Sequence, residues 1–243
     1  MSHSAFQHTG KLYLIPTTLG ESNPIEVLPN SITQIIEKVD YYIVENEKTA
    51  RKSIKQVVPE KSQPLLKLSI LNKYTEKTIL SSFLDPCKEG IDVGLLSEAG
   101  CPGIADPGAE IVKLAHQMGI RVIPMVGPSS ILLAMMGSGM NGQSFTFHGY
   151  LPIDKKDRKH ELKSLERISS DKNQAQIFIE TPYRNNNLLE DLKQVLNPAT
   201  QLCIACDITL SSEIIVTKSI YEWGKTKIDL HKRPTIFVIQ KEL

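Results

Sequence analysis

A strong net charge is missing from this chain: 28 Lys and Arg against 27 Asp and Glu leave +1 at pH 7 with His neutral. That excludes the global basic field carried by many nucleic-acid binders, so any polyanion contact has to come from a local patch. No apolar run reaches the roughly 18 residues of a membrane span, and Met1-Ser2-His3-Ser4-Ala5-Phe6-Gln7-His8 lacks the apolar core of a secretory leader. The expected location is therefore cytoplasmic, with no membrane partner. Internal repeats and low-complexity segments are also missing. Cysteine is scarce, with four residues. Cys203 and Cys206 spell C-x-x-C, but in an apolar run that reads as a strand, where residues three apart point to opposite faces. With no second paired motif, redox or zinc chemistry has no support there, and solitary Cys87 and Cys101 read as ordinary buried thiols. No His/Cys cluster with ligand spacing remains, so no metal is expected.

What is present suits a globular enzyme of one large or two medium domains: 243 residues, 41% apolar and 23% charged. In the first half, strands over 12–16, 41–44, 65–70, 93–96 and 119–126 alternate with helical patterns over 31–39, 49–57, 75–86 and 128–136. An Asn30/Ser31 cap is expected on the first of these helices. Such alternation predicts a mainly parallel sheet with helices on both faces. In the second half consecutive strands become commoner, near 145 and over 176–179, 202–208, 214–220 and 235–240, with helices over 157–169 and 186–196. The expected fold is α/β with two domains: a flexible start over 1–10, a parallel α/β domain over 11–145 and a mixed-sheet α+β domain over 146–243. A ligand is expected in the cleft between them.

The most informative stretch runs from Val93 to Gly108, where the apolar run Val93-Gly94-Leu95-Leu96 empties into Ser97-Glu98-Ala99-Gly100-Cys101-Pro102-Gly103-Ile104-Ala105-Asp106-Pro107-Gly108. A buried strand delivers a loop whose glycines permit close backbone approach, and Asp106-Pro107 reads as N-cap and first helical proline. Such a loop can be a ligand loop or an ordinary tight connection. In order with Lys11-Leu12-Tyr13-Leu14-Ile15-Pro16-Thr17-Thr18-Leu19-Gly20, Val126-Gly127-Pro128-Ser129-Ser130, Phe147-His148-Gly149-Tyr150-Leu151-Pro152 and Phe178-Ile179-Glu180-Thr181-Pro182-Tyr183-Arg184, it resembles the motif series of the tetrapyrrole (corrin/porphyrin) methylase superfamily. Those enzymes depend on S-adenosylmethionine. Within the superfamily the chain looks most like the ribosomal RNA branch of small subunit methyltransferase I (cytidine 2′-O-ribose) type, over about residues 11–239.

The resemblance implies S-adenosylmethionine as cofactor, S-adenosylhomocysteine as product, no metal, in-line methyl transfer, ribosomal RNA or the small ribosomal subunit as partner, and a homodimer. Carried over position by position, Leu19, Gly20, Glu98, Cys101, Ser129 and Ser130 would border the methionine and ribose parts of the cofactor. Ile179, Ala205, Pro234 and Thr235 would cradle the adenine, largely through backbone groups. Each has a plainer role open to it: Glu98 as a solvated or capping carboxylate, Ser129-Ser130 as satisfiers of free N–H groups at a helix start, Pro234-Thr235 as a strand start.

For the substrate, Tyr183 and Arg184 match an aromatic-Arg or His-Arg pair of the RNA branch, and Arg184 could hold a phosphate bidentately or satisfy carbonyls. Lys156, Lys159, His160 and Lys163 share one side of the charged helix and could track phosphates, or form a solvated face with the interleaved acids. A ribose hydroxyl calls for a general base; Glu45, Glu47 and Glu180 are candidates that the sequence does not rank. Departures concentrate in three places: Thr17-Thr18-Leu19-Gly20-Glu21-Ser22 stands where the branch opens with Thr-Pro-Ile-Gly-Asn-Leu. Glu45-Asn46-Glu47-Lys48-Thr49-Ala50-Arg51 replaces the branch's Glu-Asp-Thr-Arg, and Asp207 to Glu213 lacks its Thr-Lys pair. An RNA methyltransferase, a methylase of a small tetrapyrrole-like molecule and a non-catalytic cofactor-binding protein are thus the three functions to be separated.

Overall fold

The computed structural model describes residues 9–241. The first eight residues of the expected flexible start lie outside that range, while the N–H of Gly10 donates to the Cys87 carbonyl at 2.8 Å. The chain forms two compact units, residues 1–129 and 130–243.

The first unit runs β1 (Lys11–Ile15), α1 (Pro24–Val27), α2 (Asn30–Lys38), β2 (Tyr41–Val44), α3 (Glu47–Val57), β3 (Lys67–Ile70), α4 (Asp85–Lys88), β4 (Val93–Leu96), α5 (Gly108–Gln117) and β5 (Arg121–Pro124). Its five strands form a parallel sheet in the order β3-β2-β4-β1-β5. Every residue of β4 is buried, as a central strand covered on both faces requires. Val93 and Leu95 pack with Leu84, Ile111 and Ala115, whereas Leu96 packs on the other side with Ile15, Ile36 and Ile54. Gly94 is needed for that packing, because a Cβ there would stand 2.8 Å from the Tyr42 ring.

Three local details differ from expectation. The helical pattern over 75–86 folds as a 3-10 helix, Lys77–Leu84, before α4; the Ser82 hydroxyl donates to the Ile79 carbonyl at 2.7 Å, a local bond that competes with the α ladder. The α2 N-cap is Pro29, with no side-chain capping bond from Asn30 or Ser31. Asp106 does cap α5, but from one residue further out: its Oδ1 accepts from the Gly108 N–H at 2.7 Å, while Pro107 holds the N-cap position.

The second unit comprises α6 (Ser130–Ser138), β6 (Phe145–Tyr150), α7 (Lys155–Lys172), β7 (Ala175–Ile179), α8 (Asn185–Val195), β8 (Gln201–Cys206), β9 (Ile214–Ser219), α9 (Ile220–Lys225) and β10 (Thr235–Gln240). Its sheet has the order β6-β7-β10-β8-β9, with β6 and β7 parallel and the remaining pairs antiparallel. The change of strand pattern near 145 thus falls inside this unit, because α6 packs on β8, β9 and β10. Leu162, Leu165, Leu188, Leu192 and Trp223 cover Phe178, Ile204 and Phe237. All four cysteines are free thiols; Cys206 lies in this core cluster, and Cys203, three residues away on β8, does not.

Candidate active site

Three loops leave the carboxyl ends of β1, β4 and β5, which are neighbours in the parallel sheet, the position where ligands of such sheets collect. They are interlocked. Thr17 N–H donates to the Gly100 carbonyl at 3.0 Å, the Thr17 hydroxyl donates to the Ser97 carbonyl at 3.2 Å, and Cys101 Sγ lies 3.4 Å from the Pro128 carbonyl. Gly100 makes the close approach possible: its φ is +74°, and a Cβ there would stand 3.1 Å from Leu19 Cδ2 and 3.2 Å from the Pro128 oxygen. Gly127 packs on Pro16, where a Cβ would come within 2.3 Å. Leu19, Gly20, Glu98, Cys101 and Ser129 therefore lie on one set of braced loops, and Ser130 opens the second unit as the first residue of α6.

Carboxylates gather after β2 and β4. Glu45 follows β2, and its pKa is raised first by burial and then by the neighbouring charges of Asp106 and Glu98, against a Glu98 backbone N–H that lowers it. Burial also raises Asp106, although its carboxylate accepts from the N–H groups of Gly103 at 2.9 Å and Gly108 at 2.7 Å. Glu98 Oε1 accepts from the Thr49 hydroxyl at 2.6 Å. Thr49 and Asp106 were not singled out as site residues in the sequence, where Thr49 opened a helical pattern within the altered 45–51 segment and Asp106 read as a cap; it is the sheet order that brings them to Glu98 and Glu45. Glu47 turns aside to Arg51 at 2.8 Å, an i,i+4 pair on α3. The arrangement favours the protonated form of Glu45 and fixes the orientation of the Glu98 side chain through Thr49.

In the second unit, Ile236 of β10 lies opposite both Ile179 of β7 and Ala205 of β8, so Ile179, Ala205, Pro234 and Thr235 meet at one end of the sheet. Asp207 N–H donates to the Pro234 carbonyl at 2.9 Å, and the Asp207 carboxylate takes Arg233 Nε at 2.8 Å, which fixes the β10 start. Glu180 is buried, and its Oε1 accepts from both the Thr181 N–H and Arg184 at 2.6 Å. It braces the turn that presents Tyr183 and Arg184.

The basic helix divides. Arg158 is buried and donates to Asp191 at 2.6 Å, and Lys159 faces the same acid at 4.0 Å and Gln194 at 3.2 Å. Lys156 and Lys163 are exposed with His160 and Arg167, at positions a helix places on one ridge. Lys159, on the same helical side by spacing, is half-buried against α8, where it faces Asp191. Among the described residues no three His, Cys, Asp or Glu are grouped to hold a metal ion, and no helix is long and apolar enough to cross a membrane.

A family model of the tetrapyrrole (corrin/porphyrin) methylases matches residues 29–223. The chain belongs to that family. This tetrapyrrole methylase is 29% identical over 204 residues to the Ribosomal RNA small subunit methyltransferase I of Vibrio cholerae serotype O1, covering 84% of this chain and 67% of that protein. It is 30% identical over 222 residues to the protein of the same name from Bacillus subtilis, covering 91% and 72%. Among solved structures, the methyltransferase CobJ superposes with a TM-score of 0.64 at 16% identity over 96% of this chain and 95% of that one. The uroporphyrin-III C-methyl transferase of Thermus thermophilus complexed with S-adenyl homocysteine gives 0.54 at 16% identity, over 96% and 98%. Both sheets and their flanking helices are thus those of a methyltransferase fold, and the chain is a methyltransferase.

Proposed function

We propose that this methylase uses S-adenosylmethionine to methylate ribosomal RNA in the cytoplasm, at the 2′-hydroxyl of a cytidine ribose. The reading is carried by the interlocked loops around Gly100, which resemble the motif series of the tetrapyrrole methylase superfamily. It is supported by the two relatives of that name, matched over most of the chain. The residues present fit the cofactor: Gly100 lets the loops after β1, β4 and β5 close on one another, and Glu98, held by Thr49, offers a carboxylate to ribose hydroxyls or to a cationic ligand. When bound, the cofactor supplies an electrophilic methyl group on a positively charged sulfur. Leu19, Gly20, Cys101, Ser129 and Ser130 would border it, and backbone groups at Ile179, Ala205, Pro234 and Thr235 would read its adenine.

Of the three base candidates, Glu47 is tied to Arg51 and Glu180 to Arg184 and the Thr181 N–H. Glu45 is left. Its raised pKa moves it towards the range in which a carboxylate accepts a proton well, and it would take the hydroxyl proton. Tyr183, Arg184 and the exposed Lys156 and Lys163 would hold RNA. Calorimetry of the purified chain is expected to show saturable binding of S-adenosylmethionine and S-adenosylhomocysteine without added metal. Tritium-labelled methyl transfer is then compared on ribosomal subunits, total RNA and a small-molecule extract. Label in the small ribosomal subunit supports the reading; label in the extract alone gives it to a tetrapyrrole-like substrate, and binding without transfer leaves a non-catalytic cofactor-binding protein.

A further inference from the structure

Beside the Glu180–Arg184 brace, two chain segments meet in a group of side chains that the sequence motifs only partly covered. Tyr183 is 68% exposed, although it stands on a well-braced turn. His231 meets it edge-on, with ring centroids 5.9 Å apart and planes at 75°, and Lys232 Nζ lies 5.9 Å from the Tyr183 centroid. Lys232 makes no ion pair among the described residues. Its backbone is left-handed at φ +60°, a conformation that a non-glycine residue keeps only when its surroundings impose it. The imposing bonds are visible: Lys232 N–H donates to the Pro182 carbonyl at 3.0 Å, Asn186 Nδ2 to Asp229 Oδ1 at 2.7 Å, and His231 N–H to the same oxygen at 3.0 Å. Asp229 is thereby held in its charged form, since these bonds lower its pKa, and it is spent on the turn.

The result is an exposed aromatic ring with an ammonium over one side of it that makes no ion pair among the described residues, on a backbone fixed by hydrogen bonds before any ligand arrives. We propose that Tyr183, with Lys232 beside it, is a stacking platform for one unpaired RNA base, the ammonium contacting the adjoining phosphate. The inference rests on the ribosomal RNA reading and deepens it, because it names the form of RNA that the enzyme takes: a nucleotide turned out of its helix. An unstacked base turned out of its helix is held by stacking on an aromatic side chain. Exposed single aromatics are common and by themselves signify little. Here the ring, the unpaired cation and the strained backbone that delivers it converge from segments nearly fifty residues apart in sequence.

The test uses the full chain, a fluorescent single-stranded RNA oligonucleotide and small ribosomal subunits. Tyr183→Ala is expected to weaken oligonucleotide binding roughly 5- to 150-fold, the range of a lost base–aromatic stack, and to lower methyl transfer in step. Tyr183→Phe, which keeps the π-face, is expected to restore both. Lys232→Ala is expected to reduce the slope of log affinity against log salt by about one phosphate contact. S-adenosylhomocysteine affinity and the circular dichroism melt serve as folding controls and are expected to stay at wild-type values. If wild-type protein methylates the subunit and Tyr183→Ala binds and methylates equally well, the platform is overturned and the RNA reading stands. A loss of S-adenosylhomocysteine affinity in Tyr183→Ala, or a Tyr183→Phe variant as impaired as the alanine, also overturns it. If wild-type protein methylates no RNA, both fall together.

Discussion

Gly100 and Gly103 both have a positive φ, yet the structure predicts that alanine at the two positions acts differently. At Gly103, φ is +82° and the nearest atom to an added Cβ is Ala109 N at 3.9 Å, an ordinary contact. Gly103→Ala thus pays only for the left-handed backbone, about 1–2 kcal/mol, or roughly 2–8 °C in melting temperature at the scale of ~2–4 °C per kcal/mol for domains of this size. At Gly100 the same backbone term applies at φ +74°, and the Cβ also presses on Leu19 at 3.1 Å and the Pro128 oxygen at 3.2 Å. Forcing a methyl into such a site adds about 1–3 kcal/mol. It also pushes apart the loops after β1, β4 and β5, which the Thr17 and Cys101 contacts hold together. Titration calorimetry with S-adenosylhomocysteine at a temperature where both variants are folded is expected to show a loss of about tenfold or more, 1.4 kcal/mol, for Gly100→Ala. Gly103→Ala is expected to bind within about threefold of wild type, ~0.65 kcal/mol. Equal affinity losses in the two variants, or an unstable Gly100→Ala that binds normally once folded, would refute the argument that Gly100 sets the spacing of a cofactor cradle.

Burial and the charges of Asp106 and Glu98 raise the Glu45 pKa, so its ionised form costs stability at neutral pH; the folded state favours the protonated group. Glu45→Gln is therefore expected to melt higher than wild type at neutral pH, with the gain shrinking as pH falls through the raised value and wild-type Glu45 itself becomes neutral. Melts from neutral pH down to about pH 4 check this, and a parallel fall in methyl transfer is expected if Glu45 takes the hydroxyl proton. Arg158 and Asp191 form a buried pair at 2.6 Å. Arg158→Leu is expected to cost about 3–5 kcal/mol in urea unfolding, towards the lower end because Lys155 and Lys159 stand 3.8 and 4.0 Å from Asp191. Arg158→Leu combined with Asp191→Leu is expected to recover most of the loss, since no uncompensated charge is left buried.

Much of the fold was legible because its signals are local. The run Val93 to Leu96 had no polar alternation and read as a strand covered on both faces, and every residue of it is buried in the parallel sheet. The helix over α7 showed its period despite its charge, and the Cys203-x-x-Cys206 spacing was correctly read as a strand with opposed faces. Boundaries shifted where a local bond competed, as at Ser82, or where capping came from an unexpected offset, as at Asp106.

The site was less legible, because its residues act through neighbours that lie far off in sequence. Glu45, Glu47 and Glu180 were equivalent as carboxylates in the sequence. Arg51 engages one and Arg184 another, and only Glu45 is set between the charges of Asp106 and Glu98. The lysines of α7 shared a helical side by spacing, yet α8 draws Lys159 towards Asp191 and leaves Lys156 and Lys163 outside. The pairing of Tyr183 with His231 and Lys232 had no signal in either segment alone.

By itself the sequence determined the strand-helix order, the parallel and mixed sheets, the loops that carry the family's motifs and hence the kind of enzyme, because hydrophobic period, glycine and proline act over a few residues. Only the tertiary structure decided which carboxylates arginines engage, which lysines face solvent and which side chains surround Tyr183. Charge pairing and burial depend on distances between segments that the chain brings together only when it folds.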